Sequence, residues 1–240
     1  MQCIPYFFKR KMNMDESPGI KDPLFLTHWC MIRNNKVMSE SNADIFHENL
    51  STFADFIRAL YKKENPGYPK FYKMDNLSKL GFMASEIVLR NSRAAEFYNK
   101  EKIGVILANS SSSLDTDMEY QDTIRDKSDY FPSPAVFVYT LANIVIGEIC
   151  IRNGIKGENA FFICEKFDPA LLHLHISAMF DQGRAEACIG GWVEILKERY
   201  DAFVFLVQKR SFSGQKMPVP ETLIPFNEEN LLNRYLNQSY

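Results

Sequence analysis

The chain has 240 residues, of which 46% are hydrophobic and 24% charged, a composition typical of one globular domain whose core needs neither disulfides nor metals. Its 28 basic and 30 acidic residues give a net charge of −2, so no basic excess can neutralise a run of phosphates, and the sequence argues against a nucleic-acid partner. The five cysteines are widely spaced without a CxxC pair, and the four histidines do not pair with them at ligand spacing. These patterns predict reduced thiols in a cytoplasmic protein, without a disulfide framework or a zinc site.

The hydropathy pattern predicts no membrane span. The longest uncharged stretch, residues 131–147, is shorter than a bilayer-spanning helix and contains Asn143. The N-terminal residues MQCIPYFFKRK lack an apolar run of signal-peptide length. We therefore interpret 131–147 as part of a buried helix.

The first 70 residues give weaker signals. The apolar, aromatic-rich run 24–32 predicts a strand, and Asn34-Asn35 predicts a turn into a short return strand at 36–38. Apolar residues at helical spacing predict a helix over 49–63, with Ser51 as its N-cap.

The remaining chain predicts alternating strands and helices. Helices are expected at 75–91, 134–152 (with Gly147 inside) and 170–181, the last capped by Asp168 and Pro169, and strands at 103–108, 160–164, 187–193 and 202–207. This alternation predicts an α/β fold in which a sheet lies between helices, with 160–164 as a central, buried strand. The connection before 202–207 is too short for a crossover, so this strand is expected to run antiparallel at a sheet edge. The tail from Ser211 is expected on the surface.

The order of motifs over residues 70–208 resembles the N-terminal half of β-ketoacyl-ACP synthases of the thiolase-like superfamily. Segment 73–80 (KMDNLSKL) resembles the helix near the start of these enzymes. Segment 133–159 resembles their proline, asparagine and glycine pattern before the nucleophile strand, and 183–194 (GRAEACIGGWVE) resembles a gly-x-ala-asp-x-x-x-x-gly-gly-x-glu segment. The resemblance implies one β-ketoacyl synthase N-terminal-like domain over 1–240, with a mixed five-stranded sheet between helix layers, a surface tail at 211–240, and no cofactor or metal.

Two departures from the family affect the expected activity. The family's catalytic cysteine comes nine residues after the glycine that opens its strand, and counting from Gly157 gives Lys166. The family fold has two similar halves, and its catalytic histidines come from the second half, which lies beyond the resemblance. His173 and His175 match neither of them, and two residues apart on one helix they cannot share a face as metal ligands. The resemblance therefore implies a protein that is not a competent condensing enzyme by itself.

The chemistry of condensation supports this interpretation. A thiolate must hold the acyl chain as a thioester, whereas a lysine would form a dead-end amide, so Lys166 is expected to point outward or to pair with Glu165 or Asp168. Cys164 is the nearest alternative nucleophile, although a buried, inert cysteine is the simpler interpretation of it and of Cys188. The serine run 110–113 lacks the glycines and lysine of a phosphate loop and is expected to be a strand-to-helix turn.

Three functional hypotheses follow. The first is a non-catalytic accessory protein, similar to a chain length factor, in fatty-acid, polyketide or polyene-type biosynthesis. It would form a homodimer, or a heterodimer with a full-length ketosynthase, and would have acyl carrier protein as a further partner. In the family the nucleophile strand pairs with its twofold mate, so either Phe161 or Phe162 is expected to face a partner and the other the core. The alternatives are a small acyltransferase or hydrolase that uses Cys164, and a homodimeric module that binds acyl chains or carrier protein.

Overall fold

The structure is a computed structural model that describes residues 22–40, 44–126, 128, 131–209 and 223–236. Its strands are β1 (Leu24–Arg33), β2 (Lys36–Ser39), β3 (Asp44–His47), β4 (Ile103–Asn109), β5 (Asn159–Ile163), β6 (Ala187–Leu196), β7 (Arg199–Lys209) and β8 (Ile224–Pro225). Its α-helices are α1 (Phe53–Glu64), α2 (Asn76–Ser92), α3 (Ala94–Phe97), α4 (Leu114–Ile124), α5 (Pro134–Phe137), α6 (Ile144–Asn153), α7 (Pro169–Asp181) and α8 (Glu228–Leu236). Short 3-10 helices lie at Pro69–Lys73 and Lys100–Lys102. No helix in these described stretches is both long and apolar enough to cross a bilayer.

The described strands form one mixed sheet in the order β3-β2-β1-β7-β6-β4-β5, with β8 pairing with β1. Strand β4 is parallel to β5 and β6, and the other pairs are antiparallel. The predicted five-stranded sheet is therefore too small. The β2–β3 hairpin extends it beyond β1, and the two-residue β8 pairs with Phe25 and Leu26. The return strand predicted at 36–38 is β2, whereas β3 and β8 are too short for a periodicity signal and were not predicted.

Two predicted strand positions are wrong. Strand β7 runs antiparallel as expected, but it lies inside the sheet between β1 and β6. Strand β5, predicted to be central and buried, lies at the edge, and its residues are half-buried or exposed. The first 70 residues supply β1, which is necessary for β7 to be an interior strand.

Each face of the sheet has its own hydrophobic core. Alternate residues of β1 point to opposite faces, so Cys30 and Ile32 join one core while Trp29 and Met31 join the other. The first core is covered by α1, α2 and α6, and the second by α7 and α8. The layered helix–sheet–helix arrangement predicted from the sequence is confirmed.

The predicted helix 134–152 is two helices separated by residues 138–143. The Phe137 carbonyl accepts hydrogen bonds from the Thr140 amide (3.1 Å) and the Thr140 hydroxyl (2.8 Å). The Thr140 carbonyl accepts a bond from the Ser113 hydroxyl at 2.9 Å. These bonds satisfy carbonyls that a continuous helix would use, so the chain turns before α6 begins.

Two further expectations near helix ends need correction. The N-cap of α1 is Thr52, whose hydroxyl accepts a bond from the Asp55 amide at 3.1 Å, and not Ser51. The expected surface tail is also only partly correct. Residues 210–222 and 237–240 lie outside the described part, whereas 223–236 form β8 and α8 and bury Phe226 and Leu231 in the second core.

Candidate functional site

The candidate site is the turn 164–168, which connects β5 to α7. The Cys164 amide donates to the Asn109 carbonyl at 2.8 Å and so continues the parallel pairing of β5 with β4. The Asp168 carboxylate accepts a bond from the Leu171 amide at 2.9 Å, and Pro169 occupies the first turn of α7. The strand, turn and helix follow each other as the sequence predicted, because the cap and the proline fix where α7 begins.

Lys166 lies exposed in this turn, beside a cleft of about 460 Å³ lined by residues 164–169. The structure describes Lys166, Glu165 and Asp168, and no ion pair joins the Lys166 ammonium to either carboxylate. Of the two expected arrangements, the lysine therefore has the outward-pointing one.

Cys164 is half-buried beside the same cleft. Partial burial, and secondarily the nearby Asp168 carboxylate, raise the pKa of its thiol. Both effects disfavour the thiolate that nucleophilic catalysis needs. Cys188 lies fully buried in β6, where burial raises the pKa of its thiol, and its expected place in the core is confirmed.

The serine run 110–113 forms the turn from β4 into α4. One carboxylate oxygen of Glu194 accepts bonds from the Ser110 amide (2.6 Å), the Ser110 hydroxyl (2.8 Å) and the Ser111 amide (3.1 Å). The buried Asn109 side chain donates to the Ser112 carbonyl at 2.8 Å and accepts from its amide at 3.0 Å. These contacts make the run the strand-to-helix turn that the sequence predicted.

The two histidines of α7 point to different neighbours, as expected. The His173 ring lies 5.2 Å from the Phe226 ring, and its Nδ1 lies 3.8 Å from Glu228 Oε1. The His175 ring lies 4.4 Å from the Phe162 ring. Within the described residues no group of histidines, cysteines and carboxylates could hold a metal ion.

No strand of the described part of the chain pairs with the outer edge of β5. Because Cys164 donates toward β4 and the amides of a strand alternate, the amides of Phe161 and Ile163 point away from β4. The Ile163 side chain is 55% exposed. Helix α6, which contacts β5, carries exposed Ile151 (66%), and α7 on the opposite face, whose His175 ring contacts Phe162, carries exposed Leu174 (65%). We call the outer edge of β5 together with these three side chains the β5 edge.

Phe161 and Phe162 do not divide into a core residue and a partner-facing residue as the sequence suggested. Phe161 packs partly against the core under α2 and α6, whereas Phe162 packs partly against the core under α7. Each is half-buried, because β5 is an edge strand with helices on both faces.

A second exposed apolar surface surrounds α4 and α5. Its members are apolar side chains that are at least 41% exposed: Leu114, Met118, Phe131, Phe137, Val138 and Leu141. Four of the six lie within residues 131–147, so the expectation that this stretch is part of a buried helix is wrong for its first part. Patches of this kind on a folded domain indicate an interaction surface.

Sequence reasoning also missed the buried carboxylate of Glu148 in α6 and its two partners. The Lys70 ammonium lies 2.8 Å from Glu148 Oε1, and the Tyr139 hydroxyl donates to the same oxygen at 3.0 Å. The other oxygen of Glu148 is buried without a hydrogen-bond partner among the described residues. Burial, together with the bond to Glu148, raises the pKa of Tyr139. The signal in the sequence was a single glutamate inside an apolar helix.

A basic surface, also not predicted, lies where α1, the 3-10 helix Pro69–Lys73 and the start of α2 meet. Arg58, Lys62 and Lys73 are exposed there beside Tyr72, which is 54% exposed. Lys73 and Lys79 line a cleft of about 330 Å³. Burial and secondarily the positive charge of Arg58 lower the pKa of Lys79, against the opposite effect of Asp75 and Glu119. Asp75 and Glu119 line the same cleft, and Arg58 lies 3.6 Å from Asp55, so the exposed lysines stand among acidic groups.

Comparison with known proteins identifies the fold. No protein-family profile matches the sequence, and no curated protein matches it. The ishigamide ketosynthase/chain length factor matches with a TM-score of 0.61 and 17% identity, over 82% of this chain and 64% of that chain. A type II PKS acyl-carrier protein in complex with its ketosynthase (AntDE:AntF) matches with a TM-score of 0.57 and 14% identity, over 79% of this chain and 63% of that chain.

A third similar structure is a ketosynthase in complex with its chain length factor from Xenorhabdus doucetiae. It matches with a TM-score of 0.51 and 11% identity, over 80% of this chain and 81% of that chain. The chain thus covers less than two thirds of the first two matched chains and about four fifths of the third. These similarities establish that the chain has the thiolase-like fold of ketosynthases and chain length factors.

Proposed function

We propose that this chain is a non-catalytic, chain-length-factor-like subunit that pairs with a full-length ketosynthase in fatty-acid, polyketide or polyene-type biosynthesis. The observation that carries the proposal is the β5 edge, an unpaired strand bordered by exposed Ile151, Ile163 and Leu174. Unpaired edges of this kind are templates for a partner strand, and exposed apolar side chains on both faces add buried area to such a pairing. The similar solved structures include ketosynthases in complex with chain length factors.

The turn beside this edge supports the non-catalytic part of the proposal. We infer that Lys166 occupies the position of the family's nucleophile, where a lysine cannot form a thioester. Cys164, the residue that the acyltransferase alternative requires, has a raised pKa. That alternative is therefore the weaker one, because it needs a thiolate that the local environment disfavours.

The experiment that tests the pairing is affinity purification of the tagged full chain from its native cell, followed by mass spectrometry and light scattering. Wild type is expected to retain a full-length ketosynthase in a 1:1 complex. Ile163→Pro removes an amide that points away from β4, and should abolish the complex while leaving the β4–β5 bonds in place. Leu232→Ala, an exposed residue of α8, is the matched control and should retain the partner. A wild-type homodimer without a ketosynthase would instead support the homodimeric binding module.

We further propose that the basic surface binds an acyl carrier protein through acidic groups of that protein. Exposed Lys62, Lys73 and Arg58 around Tyr72 supply positive charge and one aromatic contact. Lys73→Glu should weaken binding of carrier protein and reduce its salt dependence, whereas Lys209→Glu, at the end of β7, should leave it unchanged. Equal binding by both variants would exclude this surface.

The cytoplasm is the compartment that we propose for the chain. The four cysteines that the structure describes, Cys30, Cys150, Cys164 and Cys188, are free thiols, which fits a reducing compartment.

A further inference from the structure

Residues 223–236, which we call the strap, bind the sheet mainly through their own contacts. The Phe226 amide donates to the Leu24 carbonyl at 2.9 Å, and β8 pairs with β1 on the side away from β7. The end of β7 and the start of the strap are therefore about two strand spacings apart, roughly 10 Å.

The strap covers an aromatic groove on the sheet. Phe226 and Leu231 are buried over this groove, with the Phe226 ring 6.2 Å from the Phe205 ring. The Arg234 guanidinium lies 5.1 Å from the centre of the Trp29 ring. The strands that form the groove are already joined in one continuous sheet without β8. The body of the domain therefore retains its sheet and the core under α1, α2 and α6 when the strap leaves.

The last turn of the strap is held by a polar latch. The Tyr235 hydroxyl donates to Asp201 Oδ2 at 2.5 Å, and Arg33 Nε donates to Asp201 Oδ1 at 2.9 Å. The Arg33 guanidinium also donates to the Tyr235 carbonyl at 3.3 Å and lies 4.6 Å from the centre of its ring. One side chain of the strap thus connects it to both β1 and β7.

The same tyrosine contacts the candidate site. The Tyr235 ring stacks on the Phe167 ring at 4.2 Å and an angle of 25°. Phe167 is the residue after Lys166, lines the cleft of residues 164–169 and is 7% exposed. The strap is therefore one wall of the position in which Phe167 is buried, and Trp192 and Phe203 supply other contacts to the same ring.

We propose that the strap regulates the candidate site. Docked, it holds Phe167 buried and fixes the turn that carries Lys166. Undocked by a local opening, it frees the turn and uncovers Trp29, Phe203 and Phe205, whose rings form a continuous series of contacts with Phe167. Segments of this kind open without global unfolding, because they bury few side chains relative to the backbone that they order. A regulatory role of the strap rests on the proposed function of the turn. The physical coupling between the strap and the turn does not depend on that function.

Hydrogen–deuterium exchange of the full chain, read by mass spectrometry, tests this coupling. In wild type, amides of 223–236 and 165–172 should exchange by a shared opening that is faster than the opening of β6 and β7. Tyr235→Ala should raise exchange in both segments by about tenfold or more and leave 187–207 unchanged. Tyr235→Phe, which keeps the stacking and removes only the bond to Asp201, should give a smaller increase in both. Leu236→Ala, an exposed neighbour on the same helix, should change neither segment.

Two outcomes would overturn the inference. If Tyr235→Ala accelerates 223–236 alone, the strap opens but does not control the turn. If Tyr235→Ala and Tyr235→Phe accelerate β6 and β7 as much as the strap, the strap is part of the global folding unit. Neither result bears on pairing with a ketosynthase, which is measured separately by purification with Ile163→Pro.

Discussion

Replacing Asp75 separates the effect of its charge from that of its hydrogen bonds. Its carboxylate caps α2 by accepting from the Ser78 amide at 3.0 Å, and its other oxygen accepts from the Thr116 hydroxyl at 2.9 Å. Burial raises the pKa of Asp75, and the bonds from Ser78 and Thr116 only partly oppose that effect. The ionised form is thus disfavoured in the folded chain, although the acceptor geometry is needed.

The two substitutions should have different effects on the free energy of unfolding. Asp75→Ala removes the cap, at a cost of about 0.5–2 kcal/mol, and leaves the buried Thr116 hydroxyl without its acceptor, at a further cost of about 1–3 kcal/mol. Asp75→Asn keeps an acceptor for Ser78 and can donate to Thr116, so at pH 7 it should be as stable as wild type or more stable.

The pH dependence of stability shows whether the charge of Asp75 stabilises or destabilises the fold. Because the folded-state pKa of Asp75 lies above its unfolded value, the contribution of Asp75 to stability is greatest below the unfolded pKa and decreases as the pH rises to the folded pKa. The advantage of Asp75→Asn over wild type should therefore grow as the pH rises from about 4 toward neutrality. Urea denaturation across this range, with the exposed Asp117→Asn as control, measures it. Equal destabilisation by Asn and Ala at pH 7 would show that the carboxylate charge stabilises the fold, and would refute this reasoning.

Three other predictions can be checked with purified protein. Gly157→Ala should destabilise the fold by about 1–3 kcal/mol in urea denaturation, because its Cβ would collide with the Ile103 carbonyl and no flexible side chain can move aside. Tyr139→Phe should lower the free energy of unfolding by about 1–3 kcal/mol, because it removes a hydrogen-bond donor to the buried Glu148. An unchanged midpoint of urea denaturation would mean that water replaces the hydroxyl. Alkylation of Cys164 by iodoacetamide should be slower than that of a free thiol at pH 8 and should accelerate at higher pH, because the pKa of Cys164 is raised; a rate equal to that of free thiol would contradict this.

Local signals predicted most of the elements but not their arrangement. Asp75 and Asp168 marked the starts of α2 and α7, because a cap is a contact between residues three apart in sequence. The strand 160–164 was placed near its true position but in the wrong part of the sheet, since a short apolar run has the same pattern at an edge as in the centre. The break before α6 combines local bonds from Thr140 to the Phe137 carbonyl with a bond from Ser113, which lies far away in sequence.

In the candidate site too, the features set by local sequence were predicted and those set by distant contacts were not. The position of the turn followed from a strand, a cap and a proline in succession, and so did the exposed place of Lys166. The stacking of Tyr235 on Phe167 joins residues far apart in the chain, and the basic surface collects charges from three separate elements. Such sites form only when the fold brings distant segments together, so composition and motif spacing do not predict them.

The most direct test of the non-catalytic function is the intact mass of the purified chain after incubation with acyl- and malonyl-carrier protein. The proposed function predicts no condensation product and no increase in mass, because Lys166 cannot hold a thioester and the thiolate of Cys164 is disfavoured. Lys166→Cys alone should yield no condensation product either, because the donors that stabilise the enolate, each typically worth about 100–1,000-fold, would still be missing. A stable acyl adduct on the wild type that Cys164→Ser abolishes would contradict this account and support the acyltransferase alternative.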